Sequence, residues 1–138
     1  MLRDDFQRLA RLRLREAREL LRRGLPAGAY YLAGYAVECG LKACIARHTR
    51  RYEFPDRQRW NQSYIHDLTR LVEIAGLGGA LIAETGASRA FSINWGVVKD
   101  WSEESRYDHT ITMAKARDFY RALTKQQTGV MRWVRRHW

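Results

Sequence analysis

Ala27-Gly-Ala-Tyr-Tyr-Leu-Ala-Gly34-Tyr-Ala-Val-Glu38-Cys-Gly40-Leu-Lys42-Ala-Cys-Ile-Ala-Arg-His48 is the stretch on which the fold turns. No proline interrupts it, and the spacing predicts one helix over about Ala27–His48. Small residues line it: Ala29, Ala33, Gly34, Ala36, Gly40 and Ala43. Side chains that small let another backbone come close, so this is expected to be the central helix of an all-α protein. Each glycine inside a helix costs about 1 kcal/mol relative to alanine, so Gly34 and Gly40 need a packing reason. Glu38 sits in this most apolar helix, where an unpaired carboxylate is expensive. Glu38 and Lys42 form an i,i+4 pair in the favourable order. The buried partner of Glu38 is expected to be a cation or a hydroxyl, with Lys42, Arg106 and a tyrosine as candidates. That makes Glu38, Lys42 and Tyr107 a structural polar network in preference to a ligand site.

Upstream, a helix is expected from about Asp4 to Arg23. Phe6, Leu9, Leu12, Ala17, Leu20 and Leu21 recur at steps of three and four and leave arginine to the opposite face. Asp4 and Asp5 suit its positive end, Arg22 and Arg23 its negative end. Gly24 is a C′ stop, and Pro26 starts the next helix. Downstream, residues 49–65 show no sustained period and read as an ordered loop. A third helix is expected from His66-Asp67 to about Ala75, with Leu68, Leu71 and Val72 inward. Gly76, Gly78 and Gly79 interrupt it, and a short helix over Ala80–Glu84 follows. A fourth helix is expected over about Phe91–Ser105 and a fifth over about Thr112–Arg136, with Gly129 as a point of fraying or bending. Nothing alternates with a period of two over a useful length, so no strand is expected. The expectation is one antiparallel bundle of four to five helices spanning residues 1–138.

The bulk composition agrees. The chain has 138 residues, 46% of them hydrophobic, and two prolines, enough for one core and unlike a disordered chain. The longest apolar stretch, Ala27 to Cys39, is too short and too interrupted to span a bilayer. Met1-Leu-Arg-Asp-Asp lacks the apolar core of an export signal. Cys39 and Cys44 lie about 140° apart around one helix, so they cannot bridge each other. Two cysteines alone make no zinc site. A cytoplasmic protein with buried, reduced thiols, no metal and no cofactor is expected.

Charge is more informative. Twenty-five Lys+Arg against fifteen Asp+Glu give a net charge of +10. Residues 1–23 hold eight arginines against four acids, and residues 115–138 hold seven Lys/Arg against Asp118 alone. Such a field speeds association with polyanions or an acidic protein. A solvated arginine-rich surface is the alternative. Aromatics interleave with cations in two places, Arg50-Arg51-Tyr52 through Arg59-Trp60, and Arg132-Trp133 through Arg135-Arg136-His137-Trp138. Arginine beside Trp or Tyr can stack on unpaired bases and bind phosphates. Arg51, Arg59, Trp60, Arg132, Arg135 and Arg136 are therefore candidate nucleic-acid or partner-binding residues. For Trp133 and Trp95 the alternative, and the commoner fate of Trp, is to fill the core or a dimer seam. Trp138 is harder to bury within one chain and is a candidate for docking on a partner.

Four segments, in order, resemble the HEPN family. They are the first helix leading into Gly24 through Lys42, with Glu38, Leu41 and Lys42 in matching places; His66-Asp67-Leu68 with Leu71; Trp101-Ser-Glu-Glu-Ser-Arg106-Tyr107; and a final helix opening with Ala114 and Ala116. Together they cover almost the whole chain. The resemblance implies a helical bundle that forms a homodimer, pairs with a small nucleotidyltransferase in a toxin–antitoxin type system, and acts on or binds RNA.

Ribonuclease members of that family carry Arg and His with four to six residues between them near the last helix. An imidazole, ordinary pKa ~6.5, can take a proton from a ribose 2′-OH or return one to the leaving oxygen. A guanidinium can hold the phosphate through the transition state. At the equivalent place this chain reads Arg106-Tyr107-Asp108-His109, with only two residues between the pair. Arg106 and His109 are the candidate catalytic residues, and on a helix they would share neighbouring faces, with Asp108 pairing to either. The alternative is a helix-end turn in which Arg106 holds a carboxylate such as Glu103. Arg59 and His66 have the family spacing but precede the third helix, where His66 with Asp67 as helix start is the simpler account. Two functions remain in view: a dimeric module binding RNA, a nucleotidyltransferase or both, and a metal-independent ribonuclease.

Overall fold

The structure, a computed structural model, describes residues 2–51 and 65–138, without the side chains of Arg50 and Arg51. Its first helix, α1 (Arg3–Arg22), buries Ala10, Leu14 and Ala17. At 100° per residue these three make one narrow stripe, and Leu12, expected to point inward, falls on the opposite side and stays exposed. Two alanines in the stripe let α1 lie close along α2 (Pro26–Arg51), its main neighbour. The turn between them is set by Gly24 at φ 73°, a conformation that costs glycine little. The Leu25 N–H reaches back to the Leu20 carbonyl at 2.9 Å, closing a Schellman end.

The central position expected for α2 is what the chain adopts: α1, the third helix and the C-terminal elements all pack on it. It extends to Arg51, so the expected loop begins later than residue 49, and residues 52–64 lie outside those described. Both glycines have their packing reason. A Cβ on Gly34 would lie 2.1 Å from the Trp101 indole, and one on Gly40 would lie 2.8 Å from Val134 Cγ1. Next comes α3 (Leu68–Ile74), capped by Asp67, which accepts from the Arg70 N–H at 2.9 Å. It buries Leu68, Leu71 and Val72 as expected. After it, α4 (Gly78–Ala87) is longer than expected and buries none of its residues.

The larger departures come later. Helix α5 (Arg89–Val98) stops well short of Ser105. The chain turns at Lys99 and Asp100 so that Trp101 can bury itself against Gly34 and stack on Tyr31 at 6.1 Å. Ser102 then caps a short 3-10 helix over Glu103–Tyr107. The expected fifth helix is two: α6 (Met113–Thr124) and α7 (Val130–Arg135). Between them the chain is folded so tightly that a Cβ on Gly129 would lie 2.5 Å from the Leu123 carbonyl oxygen. Asn94 of α5 fastens this turn by donating to the Thr128 carbonyl at 3.0 Å. The break lets α6 set Phe119 on Tyr30 and α7 set Trp133 on Phe91. Trp95 and Trp133 fill the core. Trp138 is buried in the chain too, beneath Arg11, and not presented to a partner. Among the described residues there is no strand, and no helix is long and apolar enough to cross a membrane.

Candidate functional site

The 3-10 helix packs on α2, which brings the Arg106 segment beside the Glu38 helix. Glu38 is only 1% exposed. One carboxylate oxygen faces Lys42 Nζ at 3.4 Å, and the other faces His66 Nδ1 at 2.7 Å. His66 Nε2 in turn lies 3.1 Å from Glu103 Oε2. The network is therefore Glu38, Lys42, His66 and Glu103. Tyr107, expected in it, is 73% exposed and belongs elsewhere, and Arg106 does not reach Glu38. His66 is the member the sequence concealed: its ring leaves the start of α3 and bridges α2 to the 3-10 helix. The His66 ring thus faces a carboxylate oxygen through each of its nitrogens.

Beyond this anchor, Arg106 and His109 line one small hollow of about 180 Å³ with Tyr31, Tyr107 and Asp108. They do not share a helix. Arg106 lies in the last turn of the 3-10 helix and His109 in the turn after it, so the hollow, and not helical spacing, brings them together. Both are exposed. The Arg106 guanidinium lies 4.7 Å over the Tyr107 ring. Hydrogen bonding to Tyr107, with smaller contributions from Tyr31 and Glu103, holds it above its ordinary pKa, so it is a fixed cation. Asp108 takes its hydrogen bonds from Thr110, N–H at 2.8 Å and hydroxyl at 2.6 Å, and not from Arg106 or His109. Those bonds lower its pKa and keep it ionised.

The basic residues differ in what they already hold. Arg59 and Trp60 lie outside the described residues, as does the side chain of Arg51. Arg136 is paired with Glu84 at 2.9 Å, and Arg132 donates to the Gln126 carbonyl at 2.6 Å. Both are already engaged within the chain. Arg135 is not: it lines a groove of about 500 Å³ with Arg8, Arg11, Arg15, Arg18 and Tyr120. Among the described residues no carboxylate pairs with any of these five arginines or lines the groove. Arg11 stacks over Trp138 at 4.9 Å, which orders its guanidinium without neutralising it. The α1 arginines were missed as a site, although their signal is plain in the sequence. Steps of three, four and three residues place 8, 11, 15 and 18 on one stripe.

Cys39 and Cys44 are free and buried, and burial pushes both thiols up to about 12. Among the described residues no three His, Cys, Asp or Glu side chains gather as metal ligands. No protein-family model, curated protein or solved structure matches the chain.

Proposed function

We propose that this chain is a HEPN-type helical module that binds RNA, and that the arginine groove between α1 and α7 is where it does so. The observation that carries this reading is the set of five arginines, none in a salt bridge among the described residues, that line one groove. Each cation placed on a phosphate releases a counterion, the main sequence-independent source of nucleic-acid affinity. The HEPN reading is supported by where three of the four resembling segments meet. Glu38 of the first bonds His66 of the second, which bonds Glu103 of the third. On the same reading the chain works as a cytoplasmic homodimer beside a nucleotidyltransferase partner, in a toxin–antitoxin type system.

The test is fluorescence anisotropy with labelled RNA across a salt series. With five phosphate contacts on a single strand the slope of log K on log salt is about −3.5, so affinity falls about 100-fold between 50 and 200 mM salt. Replacing Arg8, Arg11, Arg15 and Arg18 by Gln lowers the slope to about −0.7. Indifference of the parent protein to RNA at low salt refutes the proposal. Co-purification with a co-expressed nucleotidyltransferase tests the partner.

A second reading is a metal-independent ribonuclease, favoured by the hollow that holds Arg106 and His109 together. One imidazole would remove the 2′-OH proton as that oxygen attacks phosphorus. A protonated one from the partner subunit would return a proton to the departing 5′ oxygen, with Arg106 holding the phosphate. Growth arrest on expression, relieved by Arg106→Ala or His109→Ala, is the expected outcome. RNA cleavage that both variants retain in full refutes it.

A further inference from the structure

We infer that the arginine groove is a track for single-stranded nucleic acid, with successive phosphates on the α1 ladder and a base stacked on Tyr120. This rests on the RNA-binding reading and names the form of the ligand.

Three observations carry it. Arg8, Arg11, Arg15 and Arg18 climb one face of α1 over about 15 Å, so their positions form a row along the helix. A line of cations matches one backbone strand running along the helix. Second, the groove is an open hollow bordered opposite α1 by Tyr120 and Arg135. Its volume of about 500 Å³ is of the size that takes one small ring system, whereas a double helix could only rest on its rim. Third, Tyr120 is the aromatic side chain among the lining residues, half-buried, with the charges of Arg18 and Arg135 acting on it. A duplex keeps its bases stacked on one another, so an aromatic flanked by cations is useful only to a strand whose bases are free. The same absence of carboxylates that favours phosphates leaves nothing to recognise a basic peptide.

The experiment compares three probes on the full chain: an oligouridine of about 12 nucleotides, a blunt RNA duplex of equal length, and inorganic polyphosphate, which has the charge without bases. Oligouridine is expected to bind about tenfold more tightly than the duplex. Tyr120→Leu is expected to weaken oligouridine about tenfold while leaving polyphosphate unchanged, and Tyr120→Phe to keep the parent affinity for both. A duplex bound as tightly as the single strand overturns the inference. So does a Tyr120→Leu variant that loses nothing, or that loses oligouridine and polyphosphate alike, since the latter is a folding or charge effect. In those cases the groove remains an RNA site. If none of the three probes binds, or polyglutamate binds and they do not, the RNA reading falls and this inference with it.

Discussion

Gly34→Ala tests the packing that seats the 3-10 helix on α2, because two physical effects predict opposite signs. Helix propensity alone favours alanine over glycine by about 1 kcal/mol in a helix interior. In this structure, however, the added methyl would lie 2.1 Å from Cε2 and Nε1 and 2.3 Å from Cδ1 of Trp101. No rotation of a ring that is 3% exposed and stacked on Tyr31 relieves a clash of that depth. The indole has to leave, forfeiting about 3–5 kcal/mol on the scale of large core truncations. The net expectation is a loss of about 2–4 kcal/mol, or roughly 10 °C in Tm. In a Trp101→Ala background the space is open and the same substitution is expected to stabilise by up to about 1 kcal/mol. The coupling between the two sites is then about 3 kcal/mol or more. Urea unfolding of the four proteins, followed by far-ultraviolet circular dichroism, measures it. A Gly34→Ala protein as stable as the parent, or more stable, refutes the placement of Trp101 and with it the seating of the 3-10 helix on α2.

Other outcomes follow from the same contacts. Glu38→Leu strands Lys42 and His66 without their shared carboxylate and is expected to cost about 2–3 kcal/mol in urea unfolding, reduced from the fully buried case because His66 is part-exposed; a neutral result removes the network's structural role. Cys39 and Cys44, with thiols pushed up to about 12, are expected to resist iodoacetamide at pH 8 in the native protein and to react only as it unfolds, and mass spectrometry showing prompt labelling contradicts their burial. Burial, with Arg136 and Arg47 adding to it, holds His137 below its ordinary 6.5. The unfolded chain thus binds a proton the folded one resists, and stability present above pH 6.5 is lost as pH falls below it. Thermal melts of the parent and His137→Gln across pH 5 to 8 check this: the parent's decline is expected to be the steeper, and parallel curves contradict it.

Local rules carried the first half of the chain. The α1 and α2 bounds, the turn at Gly24 and the cap at Asp67 follow from periodicity, left-handed glycine and side-chain capping, each settled within a few residues. The two failures share a cause. Helix α5 ends early because Trp101 gains more by reaching Gly34, far away in sequence, than by continuing a helix. The α6–α7 break exists because Val130, Trp133 and Val134 have to meet the core from another direction. Neither advantage is visible in a window of neighbouring residues. Glu38 was legible as a buried carboxylate in need of a cation, yet its main partner was not. His66 lies 28 residues away and reads locally as the beginning of a helix. The arginine ladder is the reverse case, a local pattern whose meaning appears only when Arg135 and Tyr120 close the other side.

That closure has a consequence for how the protein is made. Arg3 donates to the Trp138 carbonyl across 135 positions, beside the groove whose walls are α1 and the α6–α7 region. Closing a loop over such a span carries an entropic cost that local contacts do not. The arginines of α1 meet Tyr120 and Arg135 only when these distant parts of the chain come together. The groove is thereby a product of the whole fold and of no single segment.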